Sequence, residues 1–169
     1  KEAGLTRVHI GLETGCNPLL EYMRKGITAE EHIEAGIKIK EAGLSLSEYV
    51  ILGLGGRKMW KEHAQETAKV LSKIDPNFIR LRTLAMREEI PLLEKVQAGE
   101  FQPCSDDEIA IEEKLLLENL SGTGYLVSDH ILNLLEDVEG NLVQDIPFML
   151  RVIDGYLGLP AEERVNFCL

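Results

Sequence analysis

Between residues 8 and 84 the apolar residues switch repeatedly from a period of two to a period near 3.6, and few folds accommodate that pattern. Val8, Ile10 and Leu12 alternate with His9, Gly11 and Glu13, the spacing of a strand with one apolar face, and this strand ends at Gly15. Asn17-Pro18 opens a short helix over Leu19–Lys25, which Gly26 closes as a C-cap. Thr28-x-x-Glu31 is a capping box, and Ile33, Ile37 and Ala42 mark the stripe of a second helix that stops before Gly43. Leu46 to Gly53 is the next strand, followed by Gly53-Leu54-Gly55-Gly56 and a helix over about Trp60–Ile74, which Asp75-Pro76 ends. In a third strand, Asn77–Leu84, Ile79 and Leu81 point one way while Arg80 and Arg82 point the other. Alternating strands and helices imply parallel strands with right-handed crossovers, either an open doubly wound sheet or part of a (β/α) barrel.

Beyond Pro91 the pattern is helical. Expected helices cover Leu92–Gln97, an acidic segment from Ser105 to Leu120, a stretch capped by Ser128 or Asp129 through Leu135, and Pro147 to Leu157, with no strand of comparable strength. The expected organisation is an α/β part over residues 1–100 and a helical extension over 101–169 packed on it. There is no internal repeat. With 169 residues, 44% hydrophobic and 28% charged, the chain is ordinary globular material, which argues against disorder and a disulfide scaffold. No apolar run approaches the roughly 20 residues of a membrane span, and the N-terminus lacks a signal-peptide layout, so a soluble cytoplasmic protein without membrane contact is expected. A formal charge of −11 disfavours nucleic-acid binding by the surface as a whole. Cys16, Cys104 and Cys168 are odd in number and widely spaced, which fits a reducing compartment and gives no metal-binding spacing. Lys1-Glu2-Ala3-Gly4 reads as the last turn of a helix and no initiator Met is present, so a fragment of a longer protein is expected.

In a parallel barrel, ligand-binding groups gather on the lumen side at the strands' C-terminal ends. This places His9, Gly11 and Glu13 inward on the first strand, Ser47, Tyr49, Ile51 and Gly53 on the second, and Arg80 and Arg82 on the third. Glu48 then falls on the helix side, near an exposed strand start. A carboxylate at a strand end, as Glu13 is, accepts hydrogen bonds from sugar hydroxyls or a ligand amine, or forms an ion pair with Arg80 or Arg82. The arginines divide in the same way between anchoring a ligand carboxylate and pairing with acids of the barrel. Gly53-x-Gly55-Gly56 matches neither a dinucleotide fingerprint nor a phosphate loop and reads as a tight turn. Ser128-Asp129-His130 contains the residue types of a hydrolytic triad, but consecutive residues cannot form one proton path, so helix capping is the expectation. His32 and His63 are expected on solvated helix surfaces, and Cys16 as a half-buried structural thiol.

Taken in order, Val8-His-Ile-Gly-Leu-Glu-Thr-Gly15, Met23-Arg-Lys-Gly-Ile-Thr28, Ile39-Lys-Glu-Ala-Gly43, Tyr49-Val-Ile-Leu-Gly-Leu-Gly-Gly56 and Phe78-Ile-Arg-Leu-Arg-Thr-Leu84 resemble the later half of the radical S-adenosylmethionine enzyme core. Pro91-Leu-Leu-Glu-x-x-x-x-Gly99-Glu-Phe and Ser128-Asp-His-Ile-Leu-Asn133 extend the likeness toward iron–sulfur oxidoreductases of that superfamily. The resemblance implies the C-terminal half of a partial (β/α)6 TIM-like barrel, three parallel strands with their helices, followed by a helical extension. It makes Glu13 a ribose contact of S-adenosylmethionine, Lys25 a contact of the methionine carboxylate with Arg24 as its competitor, Ile51 the apolar residue that packs on adenine with Gly53 the glycine that follows it in the motif, and Leu84 a further adenine contact. Arg82 joins this cofactor-binding set. The family's later acid in the fifth-strand motif is replaced by Gly56 or Arg57, and its CxxxCxxC loop and GGE segment are absent. A [4Fe–4S] cluster would therefore take its ligands from a preceding part of a longer protein, the alternative being natural loss of the cluster motif. That protein would cleave S-adenosylmethionine reductively to a 5′-deoxyadenosyl radical, with flavodoxin or ferredoxin as reducing partner. No residue of this chain is assigned a catalytic or metal-ligating role. The rival expectations are a (β/α)-barrel enzyme without radical chemistry and a non-catalytic module whose open barrel edge pairs with another chain.

Overall fold

A computed structural model of the chain describes residues 1–86, 88 and 90–164; Cys168 lies outside the described residues. The elements follow in the order β1 (Arg7–Glu13), α1 (Asn17–Tyr22), α2 (Ala29–Glu41), β2 (Ser45–Leu52), α3 (Gly56–Ile74), β3 (Phe78–Thr83), α4 (Pro91–Gln97), α5 (Asp106–Asn119), β4 (Tyr125–Val127), β5 (Gly140–Asn141) and α6 (Ile146–Gly158). They make a mixed α/β structure around one five-stranded sheet of order β1-β2-β3-β4-β5, parallel from β1 to β4 and antiparallel at β5.

The period-2 pattern of the strands decides which face is covered. Leu12, Leu46, Val50, Leu52, Ile79, Leu81 and Leu126 are buried against the helices and join one continuous core with Leu71 and Ile74 of α3, Ile109 and Leu116 of α5, and Met149 and Ile153 of α6. The opposite face keeps Arg7, His9, Tyr49, Arg80 and Arg82 at least partly exposed. Thr28 caps α2 through the expected reciprocal box with Glu31. Gly36 lets α2 approach α3, since a Cβ there would lie 2.7 Å from Ile74 Cγ2. No helix among the described residues is long and apolar enough to cross a membrane.

Several elements differ from expectation. The short first helix ends at Tyr22 rather than Lys25, after which Arg24 and Gly26 both take left-handed backbone angles. Helix α3 starts at Gly56, not near Trp60. The sheet does not stop at three strands, because β4 and β5 extend it within the half expected to be helical. Gly124 makes this extension possible: a Cβ there would fall 2.1 Å from the Pro76 carbonyl oxygen, and the Tyr125 N–H donates to Asn77 at 3.0 Å as β4 meets β3. Residues 128–135 run as loop and turn, not as a capped helix. Their polar side chains have distant partners: Ser128 Oγ donates to the Leu135 carbonyl, Asn133 Nδ2 to the Leu81 carbonyl, and Asp129 accepts from Arg80 and Arg82.

Gly124→Ala should therefore destabilise the protein by about 2 kcal/mol or more, because backbone must move to admit one methyl group. Urea unfolding of the full-length protein checks it; an unchanged midpoint would mean that β4 does not pass this close to the Pro76–Asn77 turn.

Candidate functional site

At the C-terminal ends of β1, β2 and β3 the backbone is shaped to present side chains across the sheet edge. The β1–β2 register shifts between Gly11 and Glu13, and Glu13 takes a φ of 61°. A non-glycine residue in this region is strained unless neighbours hold it there. The Glu13 carboxylate folds back over Gly11, where a Cβ would sit 2.9 Å from Oε1. Lys25 reaches it from the loop after α1, with Nζ 2.8 Å from Glu13 Oε2 and both side chains less than one-third exposed. The ion pair to Arg80 or Arg82, the alternative to a ligand role for Glu13, is not formed among the described residues. Arg80 and Arg82 instead hold Asp129 at 2.5 and 3.1 Å, and Arg82 stacks over Tyr49 at 5.0 Å. Burial raises the Asp129 carboxyl, but the hydrogen bonds and charges of both arginines outweigh it and leave the group below its ordinary value.

Ile51 and Leu84 both pack on the small cluster of Cys16, Leu19 and Leu54, together with Met23 and Met59. Gly53, at φ 79°, adjoins Leu84 and Ile109, since a Cβ built there would lie 3.5 Å from Ile109 Cδ1 and 3.6 Å from Leu84 Cβ. Arg24 is turned elsewhere and lines an outer hollow with Asn17, Leu20, Glu21 and Glu31. The structure thus joins Glu13 to Lys25 and groups Ile51, Gly53 and Leu84. Arg82 is the cross-strand partner of Ile51 but is engaged by Asp129 and Tyr49, and Arg24 lies apart on the outside.

The sequence expectation missed the buried polar groups behind this edge. His63 and His32 are 1% and 4% exposed, not solvated. His63 Nδ1 is hydrogen-bonded to Glu112 Oε1, and its Nε2 meets the Glu13 carbonyl oxygen at 3.2 Å. Glu112 Oε2 accepts the Gly53 N–H at 2.8 Å, and the Gly15 N–H donates to Thr67 Oγ1 at 2.9 Å. The available signal was spacing: residues 63, 67, 71 and 74 share one face of α3, which buries a polar turn in line with Leu71 and Ile74. Glu48, expected near an exposed strand start, is fully buried and meets His32 Nε2 at 3.2 Å. Burial raises its carboxyl, His32 partly opposes this, and Oε1 has no hydrogen-bond partner among the described residues. Cys16 is buried rather than half-buried, and burial raises its thiol. Among the described residues no group of three or more His, Cys, Asp or Glu side chains is placed to hold a metal ion.

No family model matches this chain. It is 30% identical over 115 residues to a tRNA uridine(34) acetyltransferase of Methanocaldococcus jannaschii, covering 64% of this chain and 20% of that protein. The corresponding protein of Methanocaldococcus infernus is 29% identical over 117 residues, with 64% and 20% covered. The chain spans about a fifth of the length of these curated relatives. Among solved structures, Methanocaldococcus infernus Elp3 with an N-terminal deletion superposes with a TM-score of 0.62 at 22% identity, over 78% of this chain and 32% of that one. The chain shares that fold.

Beside Glu112, Glu113 is wholly buried. Desolvation, with repulsion from Glu112 second, pushes its carboxyl up to about 8. Between its unfolded value near 4.3 and about 8 the folded state binds the extra proton, so this group's contribution to stability falls as pH rises through that window. Glu113→Gln should gain on the wild type from pH 5 to 8, by at most about 1.4 kcal/mol per pH unit, and level off above. Unfolding curves at three pH values measure this; parallel stabilities would show that Glu113 titrates as it does in the unfolded chain.

Proposed function

We propose that this chain forms the S-adenosylmethionine-contacting later half of the partial barrel of a radical S-adenosylmethionine enzyme, related to the archaeal tRNA uridine(34) acetyltransferases. One observation carries the reading: residues at the ends of three consecutive parallel strands, Glu13, Ile51, Gly53 and Leu84, meet one edge of the sheet, with Lys25 brought to Glu13 by a separate loop. The donor set fits the ligand. Glu13 is a hydrogen-bond acceptor for ribose hydroxyls, Lys25 a cation for the methionine carboxylate, and Ile51 and Leu84 an apolar wall for a flat base. The ion pair between Glu13 and Lys25 holds both side chains in place before a ligand arrives, which lowers the ordering cost of binding. Lys25 takes the carboxylate role in preference to Arg24, because only Lys25 is beside Glu13.

Bound there, S-adenosylmethionine would supply radical chemistry by reductive cleavage. The described residues do not fit a [4Fe–4S] cluster: Cys16 and Cys104 are both buried and no metal-holding group is formed. Cluster ligands, a reducing partner such as flavodoxin or ferredoxin, and the acceptor of the chemistry are assigned to the full-length protein. For that acceptor the relatives' names suggest a tRNA uridine. The net charge of −11 weighs against RNA over the surface as a whole, yet the open sheet face carries Arg7, Arg80 and Arg82, the last two paired with Asp129. Arg7 stacks on Phe78 at 4.2 Å and Arg82 on Tyr49 at 5.0 Å, the basic and aromatic mixture that suits a single-stranded nucleotide.

Calorimetric titration of the full-length protein with S-adenosylhomocysteine, which is not cleaved, tests the assignment. Glu13→Gln and Lys25→Ala should each weaken binding roughly 10-fold or more, as loss of one charge-assisted hydrogen bond implies, while Arg24→Ala stays within about 2-fold. Absence of binding by the wild type would overturn the reading, and a loss confined to Arg24→Ala would move the carboxylate contact there.

A further inference from the structure

His63 and Glu112 lie behind the candidate site, and no hydrogen bond joins them to a side chain assigned to the ligand. Their hydrogen bonds instead end on backbone: Nε2 of His63 on the Glu13 carbonyl, Oε2 of Glu112 on the Gly53 N–H, with Nδ1 and Oε1 joined to each other. The chain of bonds thus runs from the end of β1, through α3 and α5, to the end of β2. We propose that His63 and Glu112 act as a pair of positioning residues that set the cofactor-binding conformation of Glu13 and Gly53, an inference that rests on the S-adenosylmethionine reading above.

Two observations separate this role from ordinary packing. An apolar pair of the same size would join α3 to α5 without the desolvation cost that a buried imidazole and carboxylate carry, so helix packing alone does not explain them. What an apolar pair cannot do is hold these two backbone groups, and both belong to residues with left-handed φ angles, 61° at Glu13 and 79° at Gly53. Glu13, which has a Cβ, is strained there and needs the surrounding structure to keep it. Thr67, one turn after His63 on α3, grips the same segment by accepting the Gly15 N–H. If the tie is released, Glu13 can relax toward extended backbone, turning its carboxylate away from Lys25.

Donor bookkeeping defines a conservative variant. Nε2 faces a carbonyl oxygen and must carry hydrogen, so a single proton is shared between Nδ1 and Oε1. In Glu112→Gln the amide N–H can donate to Nδ1 and the amide oxygen can accept from Gly53, which preserves every tie. Glu112→Leu keeps the volume and removes them.

The test is titration of the full-length protein with S-adenosylhomocysteine, with thermal unfolding of each variant run alongside. Glu112→Leu should weaken binding 10-fold or more at temperatures where it is fully folded, and Glu112→Gln should stay within about 3-fold of wild type. Because the pair acts through Glu13, adding Glu13→Gln to Glu112→Leu should cost less than the product of the separate losses. Should Glu112→Leu not fold, His63→Phe replaces it with the same expectation. A folded variant that binds as the wild type does, or losses that multiply in full, would overturn the positioning role alone. A wild-type protein that does not bind S-adenosylhomocysteine would overturn the cofactor reading and this inference with it.

Discussion

The rest of the structure depends on the burial of one face of a parallel sheet. Leu12, Leu46, Val50, Leu52, Ile79, Leu81 and Leu126 all turn toward α2, α3, α5 and α6, and at about 2 kcal/mol for each large side chain removed from water this layer dominates the favourable terms. Register follows from it, since a one-residue slip in any strand would carry its leucines to the open side and bring Arg80 or Tyr49 under the helices. The open face is polar as a consequence of the same alternation. Residues at the strand ends are then brought side by side by ladder geometry, even though Glu13, Ile51 and Leu84 are far apart in sequence.

Against this apolar layer the buried polar groups are costly. His32 with Glu48, and His63 with Glu112, lie at the junctions of helices with strand or helix, where hydrocarbon would pack at lower cost. The two pairs differ in what they reach. Glu48 keeps one oxygen without a hydrogen-bond partner among the described residues, and its pair links α2 to β2. The His63–Glu112 pair is fully connected, and its outer ends are the backbone groups that shape the candidate site.

Much of this was legible in the sequence, and the failures have physical causes. Three strands, the capping box at Thr28, the end of α3 at Ile74 and a last helix close to the expected Pro147–Leu157 follow from periodicity and punctuation, because their signals are local. Strands β4 and β5 have three and two residues, too few for alternation to register, and exist through the fit of Gly124 against Pro76. Ser128 and Asp129 have capping chemistry, but Ser128 is engaged across the turn by Leu135 and Asn133, and Asp129 by two arginines of β3 that local reading cannot see. His63 was misjudged because a polar side chain in a buried stripe looks solvated until its partner, 49 positions away, is known. Lys25 and Arg24 are adjacent and alike in sequence; only the left-handed turn at Arg24 and Gly26 aims one of them at Glu13.

S-adenosylmethionine is proposed to be held at the sheet edge formed by Glu13, Lys25, Ile51, Gly53 and Leu84. Amide hydrogen exchange of the full-length protein, with and without saturating S-adenosylmethionine, addresses it most directly. Slowed exchange should concentrate in peptides covering residues 12–16, 23–26 and 51–56, with α6 unchanged. Protection absent from those segments, or confined to the outer hollow beside Arg24, would contradict it.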